Sequence, residues 1–277
     1  MPKSIIWLAS YPKSGNTWLR LVLFNYLFNL DEPAPINQAH RIGPSDASAT
    51  LYHQAAGRKF DVSDARETLK YRTKVIATHA ANGADVNFMK THNANIMIEK
   101  TSLIPSPHSR GALYVIRDPA DMLVSFAHHF STTPERSVDA IDSDSHTIFA
   151  DKARTVVPQY LGRWSDHVRS WVDGKALNTH VMRYEDMQAD PVATFGAALR
   201  YIGAPEDPER LTRAIRFSSF DEAKKQEEDH GFVEKPKDAK SFFRSGKVGE
   251  GREKLPQDLI DRIEADHGDV MKRFGYL

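Results

Sequence analysis

Five consecutive positions, Lys13, Ser14, Gly15, Asn16 and Thr17, combine a fixed positive charge, a glycine and three side chains carrying hydroxyl or amide donors. That set of types suits an anion. Backbone N–H groups at the start of a helix point at such a ligand, and the helix dipole favours negative charge there. Gly15 permits close approach of the backbone, Lys13 brings charge, and the hydroxyls of Ser14 and Thr17 can donate. A lone glycine and lysine would read as an ordinary strand-to-helix turn, but here three polar side chains surround them. The order is not that of the ATP or GTP loop, Gly-x-x-x-x-Gly-Lys-Ser/Thr. Lys13 precedes Gly15 by two positions, and Ser10 or Tyr11 stands where the first glycine belongs.

Two further groups carry chemistry. Arg117 closes the apolar run Ala112 to Ile116, at the strand end where open α/β sheets bind ligands. Its planar fork can grip a phosphate bidentately, and Ser125, about two helical turns on, can face the same anion. The competing reading pairs Arg117 with Asp118 or Asp121 as a structural ion pair. Lys90-Thr91-His92 sets a histidine, the natural proton acceptor near neutral pH, two residues after a lysine. His79 is a rival base, but it lacks that preceding lysine. Arg244-Ser245-Gly246-Lys247 reads locally as a flexible basic loop.

These residues need elements to position them. Ile5 to Ala9 reads as a strand and Leu19 to Leu30 as a helix, which is the strand–loop–helix order a phosphate loop requires. Lys74 to Thr78 and Val86 to Thr91 read as strands around the turn-prone Ala81-Asn82-Gly83, and Ala112 to Arg117 is the clearest buried strand. Asp61 to Asp64 is a plausible helix start, and Pro119 opens a helix through about Phe130. Ser131 to Asp151 is polar and weakly patterned, a surface excursion or mobile flap. Tyr160 to Val172 predicts a long amphipathic helix, Thr179 to Tyr184 a strand, and Pro191 to Ile202 and Pro208 to Arg216 helices. Asp221 to Lys240 is highly charged, and Leu255 to Phe274 closes the chain as a helix. Strands alternating with helices imply an α/β fold, with a mostly parallel central sheet and helices on both faces.

The 277 residues fit one sizeable α/β domain or two small ones, and no linker or internal repeat divides them. Lys plus Arg and Asp plus Glu both total 37, so nothing pulls the chain globally toward nucleic acid or anionic membrane. Any anion site is therefore local. With no cysteine, disulfides, thiolate catalysis and Cys-ligated zinc are excluded. Met1-Pro2-Lys3 and the short apolar run behind it are too short for a signal peptide, and Asn25 and Asn29 break the one longer apolar stretch. Cytoplasmic is the expectation.

The order Tyr11-Pro12-Lys13-Ser14-Gly15-Asn16-Thr17-Trp18 resembles the 5′-phosphosulfate loop of the cytosolic-type sulfotransferases, which move a sulfuryl group from 3′-phosphoadenosine-5′-phosphosulfate (PAPS) to an acceptor. The family usually has Thr where Asn16 stands. Arg117 to Ser125 resembles its 3′-phosphate site, Lys90-Thr91-His92 its catalytic segment, and Tyr184-Glu185-Asp186 its strand-end motif. Phe242-Phe243-Arg244-Ser245-Gly246 resembles its C-terminal phosphate-gripping loop, with Ser245 where lysine is common. The motifs run in family order from about Ile5 to Tyr276.

The resemblance implies one P-loop-like three-layer domain over 1–277, with PAPS held by Lys13, Ser14, Gly15, Asn16, Thr17, Trp18, Arg117, Ser125, Tyr184, Ser218, Phe220, Arg244, Ser245 and Gly246. In that assignment Tyr184 touches the nucleotide, Ser218 hydrogen-bonds the adenine, and Trp18 and Phe220 sandwich it. A core tyrosine with a tethered hydroxyl is an equally good local reading of Tyr184. His92 would be the general base for a hydroxyl or amine of a small-molecule acceptor, with Lys13 and Lys90 stabilising charge and no metal needed. Catalysis would then rest on positioning and electrostatics, as in phosphoryl transfer. An ATP-dependent kinase and a non-catalytic nucleotide-binding module remain as alternatives. Oligomeric state stays open, because the dimer motif of the animal enzymes is not visible after Gly251.

Overall fold

The structure is a computed structural model that describes residues 4–151, 153–236 and 239–277. Met1–Lys3 and part of the charged stretch 221–240 lie outside the described residues. In chain order the elements begin with β1 (Ile5–Ser10), α1 (Asn16–Leu27), a 3₁₀ turn (Ile36–Arg41), α2 (Ala49–Ala56), α3 (Ala65–Ala80), β2 (Asn87–Thr91), β3 (Met97–Ile98) and β4 (Thr101–Ser102). There follow β5 (Ser109–Ile116), α4 (Pro119–His129), α5 (Pro134–Ile141), β6 (Thr147–Ile148), β7 (Gln159–Tyr160), α6 (Trp164–Val172) and β8 (Thr179–Arg183). The chain ends with α7 (Tyr184–Ala189), α8 (Pro191–Ile202), α9 (Pro208–Phe217), α10 (Phe220–His230), α11 (Glu250–Lys254) and α12 (Gln257–Arg273). The fold is mixed α/β, with a central parallel sheet in the order β2-β1-β5-β8 flanked by helices.

Contacts divide the chain into two compact units. The first comprises residues 1–11, 43–114 and 143–181. β1 and β2 pair in parallel there, from Ile5 opposite Asn87 to Ala9 opposite Thr91. Every residue of β1 is buried, as a central strand covered on both faces should be. α3 starts where the side chain of Asp64 accepts the N–H groups of Arg66 and Glu67. It buries Thr68, Leu69, Arg72, Val75, Ile76 and Ala80, one helical face. The sequence reading of Lys74 to Thr78 as a strand is therefore corrected. Thr73, Val75, Ile76 and Thr78 supply β-branched side chains locally, but burial against the rest of the unit follows the longer 3.6-residue period. Tyr160 is likewise the end of β7 rather than the start of α6.

The second unit comprises residues 12–42, 115–142 and 182–277. α1 packs on α9, α8 on α7 and α9, and α4 on α5 and α11. Pro119, Pro134, Pro191 and Pro208 each occupy the first turn of a helix, with Asp118, Thr133, Asp190 and Asp207 capping. The excursion 131–151, read as weakly patterned, thus contains a helix, α5, which buries Val138 and Ile141. The charged stretch 221–240 begins as α10, capped by Ser219.

Candidate functional site

The loop from Lys13 into α1 lies in the second unit and turns sharply. Lys13 has φ 69° and Gly15 φ 113°, the left-handed region that favours glycine. A Cβ on Gly15 would sit 2.7 Å from Cδ2 of Tyr184, so the loop presses on that ring. The Arg117 guanidinium stacks over the same ring, 4.3 Å from its centroid. Arg117 Nη2 donates to the Lys247 carbonyl at 2.9 Å, and Tyr184 Oη donates to the Gly246 carbonyl at 2.8 Å. Lys13, Gly15, Arg117, Tyr184 and Gly246 are thereby brought together. Burial raises the Tyr184 phenol above its usual range, with Arg117 pulling the other way, so the hydroxyl stays protonated and tethered.

The loop 241–251 is held by carboxylates that the motif reading did not single out. Asp121 accepts the N–H groups of Gly249 and Gly251, both at 2.7 Å, and Glu227 accepts those of Phe242 and Phe243 at 2.6 and 2.9 Å. Asp118 caps α4 at Ala120. Both aspartates are thus committed to backbone N–H groups, and the ion-pair reading of Arg117 is not what the structure shows. Arg244 pairs with Glu250 at 2.5 Å. Burial would raise the Glu250 carboxyl, but Arg244, Lys254 and Ser245 hold it down at about 2. Lys13 Nζ rests 3.8 Å above the Phe242 ring.

Several donors in this unit are buried with no hydrogen-bond partner among the described residues: Ser14 Oγ, Trp18 Nε1, Arg117 Nε and Arg244 Nε. An unsatisfied buried donor costs about 1–3 kcal/mol, and an acceptor-rich ligand at this loop would supply partners for such donors. Phosphate and sulfate oxygens fit that donor set. Ser125 is half-buried on α4, two turns into the helix that follows Arg117. Ser218 fits its expected role less well. It is buried, donates to the Ala214 carbonyl and accepts from Asn25 Nδ2. Trp18 lies edge-on to Tyr184 and Phe195, while Phe220 packs against Gly246 and Phe243.

In the first unit, His92 follows the last residue of β2. Asn87, Met89 and Thr91 are buried while Phe88 and Lys90 are half-buried, so Lys90 and His92 share the less covered face. Their backbone is fixed from several sides. Thr91 Oγ1 donates to Asp46 Oδ2 at 2.7 Å and Asn93 Nδ2 to the same oxygen at 3.0 Å. Asp46 is in turn paired with the buried Arg72 at 2.5 Å. His167, itself buried and kept neutral by burial with its pKa lowered to about 4, bonds the His92 carbonyl at 3.0 Å. His92 Nδ1 lies 2.8 Å from the Ser10 carbonyl, which can only accept. Nδ1 therefore carries the proton, and the lone pair is on Nε2. His79 sits in the last turn of α3 with Nε2 on the Phe88 carbonyl, not after a strand as expected.

A family model described as a sulfotransferase domain matches residues 3–275. The chain belongs to the sulfotransferase family. It is 23% identical over 274 residues to flavonol 3-sulfotransferase of Flaveria bidentis, covering 94% of this chain and 79% of that one. Cytosolic sulfotransferase 5 of Arabidopsis thaliana is 24% identical over 276 residues, covering 93% and 76%. Among solved structures, mouse sulfotransferase SULT7A1 complexed with PAP has a TM-score of 0.62 at 20% identity, covering 98% of this chain and 86% of that one, a likeness of fold. In this sulfotransferase no helix among the described residues is long and apolar enough to cross a membrane. The residues that sequence reasoning missed are Phe242 in its contact with Lys13, and Glu227, Asp121 and Glu250 as loop anchors. All act across chain separations that leave no local spacing to read, apart from Glu250.

Proposed function

We propose that residues 1–277 form one sulfotransferase domain that transfers the sulfuryl group of PAPS to a hydroxyl or amine of a small-molecule acceptor. The family match over 3–275 supports the reaction class, and a relative named for a flavonol supports a small hydroxyl-bearing acceptor. A relative named cytosolic supports a cytoplasmic location. The observation that carries the donor site is the set of buried, unpartnered donors on Ser14, Trp18, Arg117 and Arg244.

PAPS supplies an activated sulfuryl group on a nucleotide phosphate. The residues Lys13 to Thr17 hold its 5′ end with backbone and side-chain donors, and Arg117, Ser125 and Arg244 to Gly246 take the 3′-phosphate. Tyr184 serves by backing Arg117 and Gly246 rather than through its tethered hydroxyl. Trp18 and Phe220 offer ring faces to the base, while Ser218 has its hydroxyl committed inside α9 and to Asn25. His92 takes the acceptor's proton on Nε2, the nitrogen that the Ser10 carbonyl leaves with its lone pair. Lys90, on the same face, and Lys13 stabilise the negative charge that develops.

Calorimetric titration with the product nucleotide 3′-phosphoadenosine-5′-phosphate (PAP), beside ADP and ATP with magnesium, tests the donor site. Tight binding that requires the 3′-phosphate, and that weakens at least about tenfold in Arg117→Ala, is expected. His92→Ala should lower sulfate transfer roughly 10²–10⁴-fold while leaving PAP affinity intact. Preference for ATP with magnesium would restore the kinase reading, and absence of nucleotide binding would overturn the donor site.

A further inference from the structure

Arg20 is the most buried charged side chain near the phosphate loop, 1% exposed, and no part of the donor-site assignment uses it. It sits one turn into α1, so positions 16 and 17 lie on its own face of the helix. Its Nε donates to Asn16 Oδ1 at 3.1 Å and its Nη2 to Thr17 Oγ1 at 3.2 Å. The outer edge of the guanidinium is gripped bidentately by Glu234, with Nη1 and Nη2 each 2.8 Å from a carboxylate oxygen. Glu234 comes from the strap after α10, which is itself pinned where Asn37 donates to the Gly231 carbonyl and accepts the Val233 N–H.

We propose that Arg20, fixed by Glu234, is a positioning residue that aims the Asn16 amide and the Thr17 hydroxyl at the 5′ end of the donor nucleotide; the inference rests on the donor-site reading above. A guanidinium has donors only, so whatever faces it must accept. Arg20 therefore holds the Asn16 carboxamide by its oxygen, so that Nδ2 is the half with hydrogens to give. Thr17 Oγ1 accepts from Arg20 and so keeps its hydrogen to donate. Without Arg20 the carboxamide could turn its oxygen toward the anion, which repels it. A threonine at position 16 would have no such two-ended side chain. The Asn16 that departs from the usual Thr of the family thus comes with a neighbour that sets its orientation.

Glu234 has a second consequence. With Nε on Asn16, Nη2 on Thr17 and both Nη groups on Glu234, every nitrogen of the Arg20 fork is committed and none is left as a phosphate grip, whereas Arg244 keeps an unpartnered Nε beside its pairing with Glu250. Its effect on the nucleotide passes through Asn16 and Thr17.

The experiment measures PAP affinity by calorimetry in Arg20→Lys, alone and combined with Asn16→Thr, with wild type and Asn16→Thr as references. Lysine keeps the charge and can still meet Glu234, but as a single ammonium it cannot reach all three partners in one plane. Arg20→Lys should weaken PAP about tenfold in the Asn16 background and by no more than about threefold once Asn16→Thr is present. Glu234→Gln, placed at the partly exposed end of the network, should show the same dependence on background if Arg20→Lys melts too low to titrate. Equal losses in both backgrounds would mean that Arg20 supports the fold or grips phosphate directly, and would overturn the inference, as would no loss in either. Wild-type binding of PAP without coupling to position 16 removes only this inference, whereas absence of wild-type binding removes the donor-site reading beneath it.

Discussion

Gly15 carries two constraints at once. Its φ of 113° is a conformation that costs a side-chain-bearing residue about 1–2 kcal/mol, and its Cβ position is taken by the Tyr184 ring at 2.7 Å. The ring cannot move cheaply, because its hydroxyl is tied to Gly246 and its face supports Arg117. Gly15→Ala should therefore cost roughly 2–4 kcal/mol and weaken PAP binding together, since the displaced tyrosine carries Arg117 with it. Thermal melts with and without PAP check this, and a variant that melts and binds like wild type would show that the loop is softer than its geometry implies. Residues of this kind are legible in the sequence because they are contiguous: Lys13 to Trp18 can be read off as one string. Arg117 and His92 are legible for another reason, since each closes a strand. Asp121, Glu227 and Glu234 are not. Glu234 meets Arg20 across 214 positions, and Asp121 meets Gly251 across 130. A carboxylate that accepts a distant backbone N–H has no pattern along the chain.

Elements are legible where a cap and a period agree. Asp190-Pro191 and Asp207-Pro208 open helices whose apolar spacing continues behind them, and α8 and α9 start there as expected. The failures come where one signal stands alone. Val75 and Ile76 look like a strand in a five-residue window, yet they continue the helical face begun at Thr68 and Leu69 behind the Asp64 cap. Thr133-Pro134 is a helix start hidden in a polar stretch. One contact between elements has no signature along the chain, the approach of α11 to α4. A Cβ on Gly251 would run into the backbone carbon of Ala120 and lie 2.6 Å from its oxygen, while the Gly251 N–H is held by Asp121. Backbone atoms inside a helix cannot yield as a side chain can. Gly251→Ala should thus force α11 off α4 at a cost of about 3 kcal/mol or more, and loosen the loop that carries Arg244. Gly174→Ala, where the nearest atom to an added Cβ is 3.7 Å away, is the control and should melt within about a degree or two of wild type. Similar melting of the two variants would refute the close approach.

At the scale of the whole molecule, the α/β class follows from alternation of strands and helices, while the balance of 37 basic against 37 acidic residues says only that charge acts locally. Local charge nevertheless sets how stability of the whole chain responds to pH, because protons are counted over the entire unfolding reaction. His146 and His167 are pushed down to about 4 and His79 is also lowered, each chiefly by burial. Between about pH 4 and 6.5 the unfolded chain binds protons that these histidines refuse when folded, so they make stability fall with acid. Asp118 acts in the opposite sense. Burial chiefly, aided by Asp121 and Glu185, raises its carboxyl to about 6 from the 3.8 of a free aspartate, against the pull of the Ala120 N–H and Arg252. Folded Asp118 keeps a proton that the unfolded chain has released, so its contribution is present below about pH 3.8 and is lost as pH rises through about 6. Asp118→Asn mimics the protonated form and retains a side-chain oxygen able to cap Ala120. The variant should therefore match wild type near pH 4 and gain about 1–3 kcal/mol by pH 7.5, with a steeper loss of stability on acidification because proton uptake by the unfolded chain's histidines is no longer offset. Urea unfolding of both proteins at half-unit steps from pH 4 to 8 reads this directly. A difference that stays constant with pH, or a variant less stable at pH 7.5, would show that Asp118 is ionised in the folded protein at little cost.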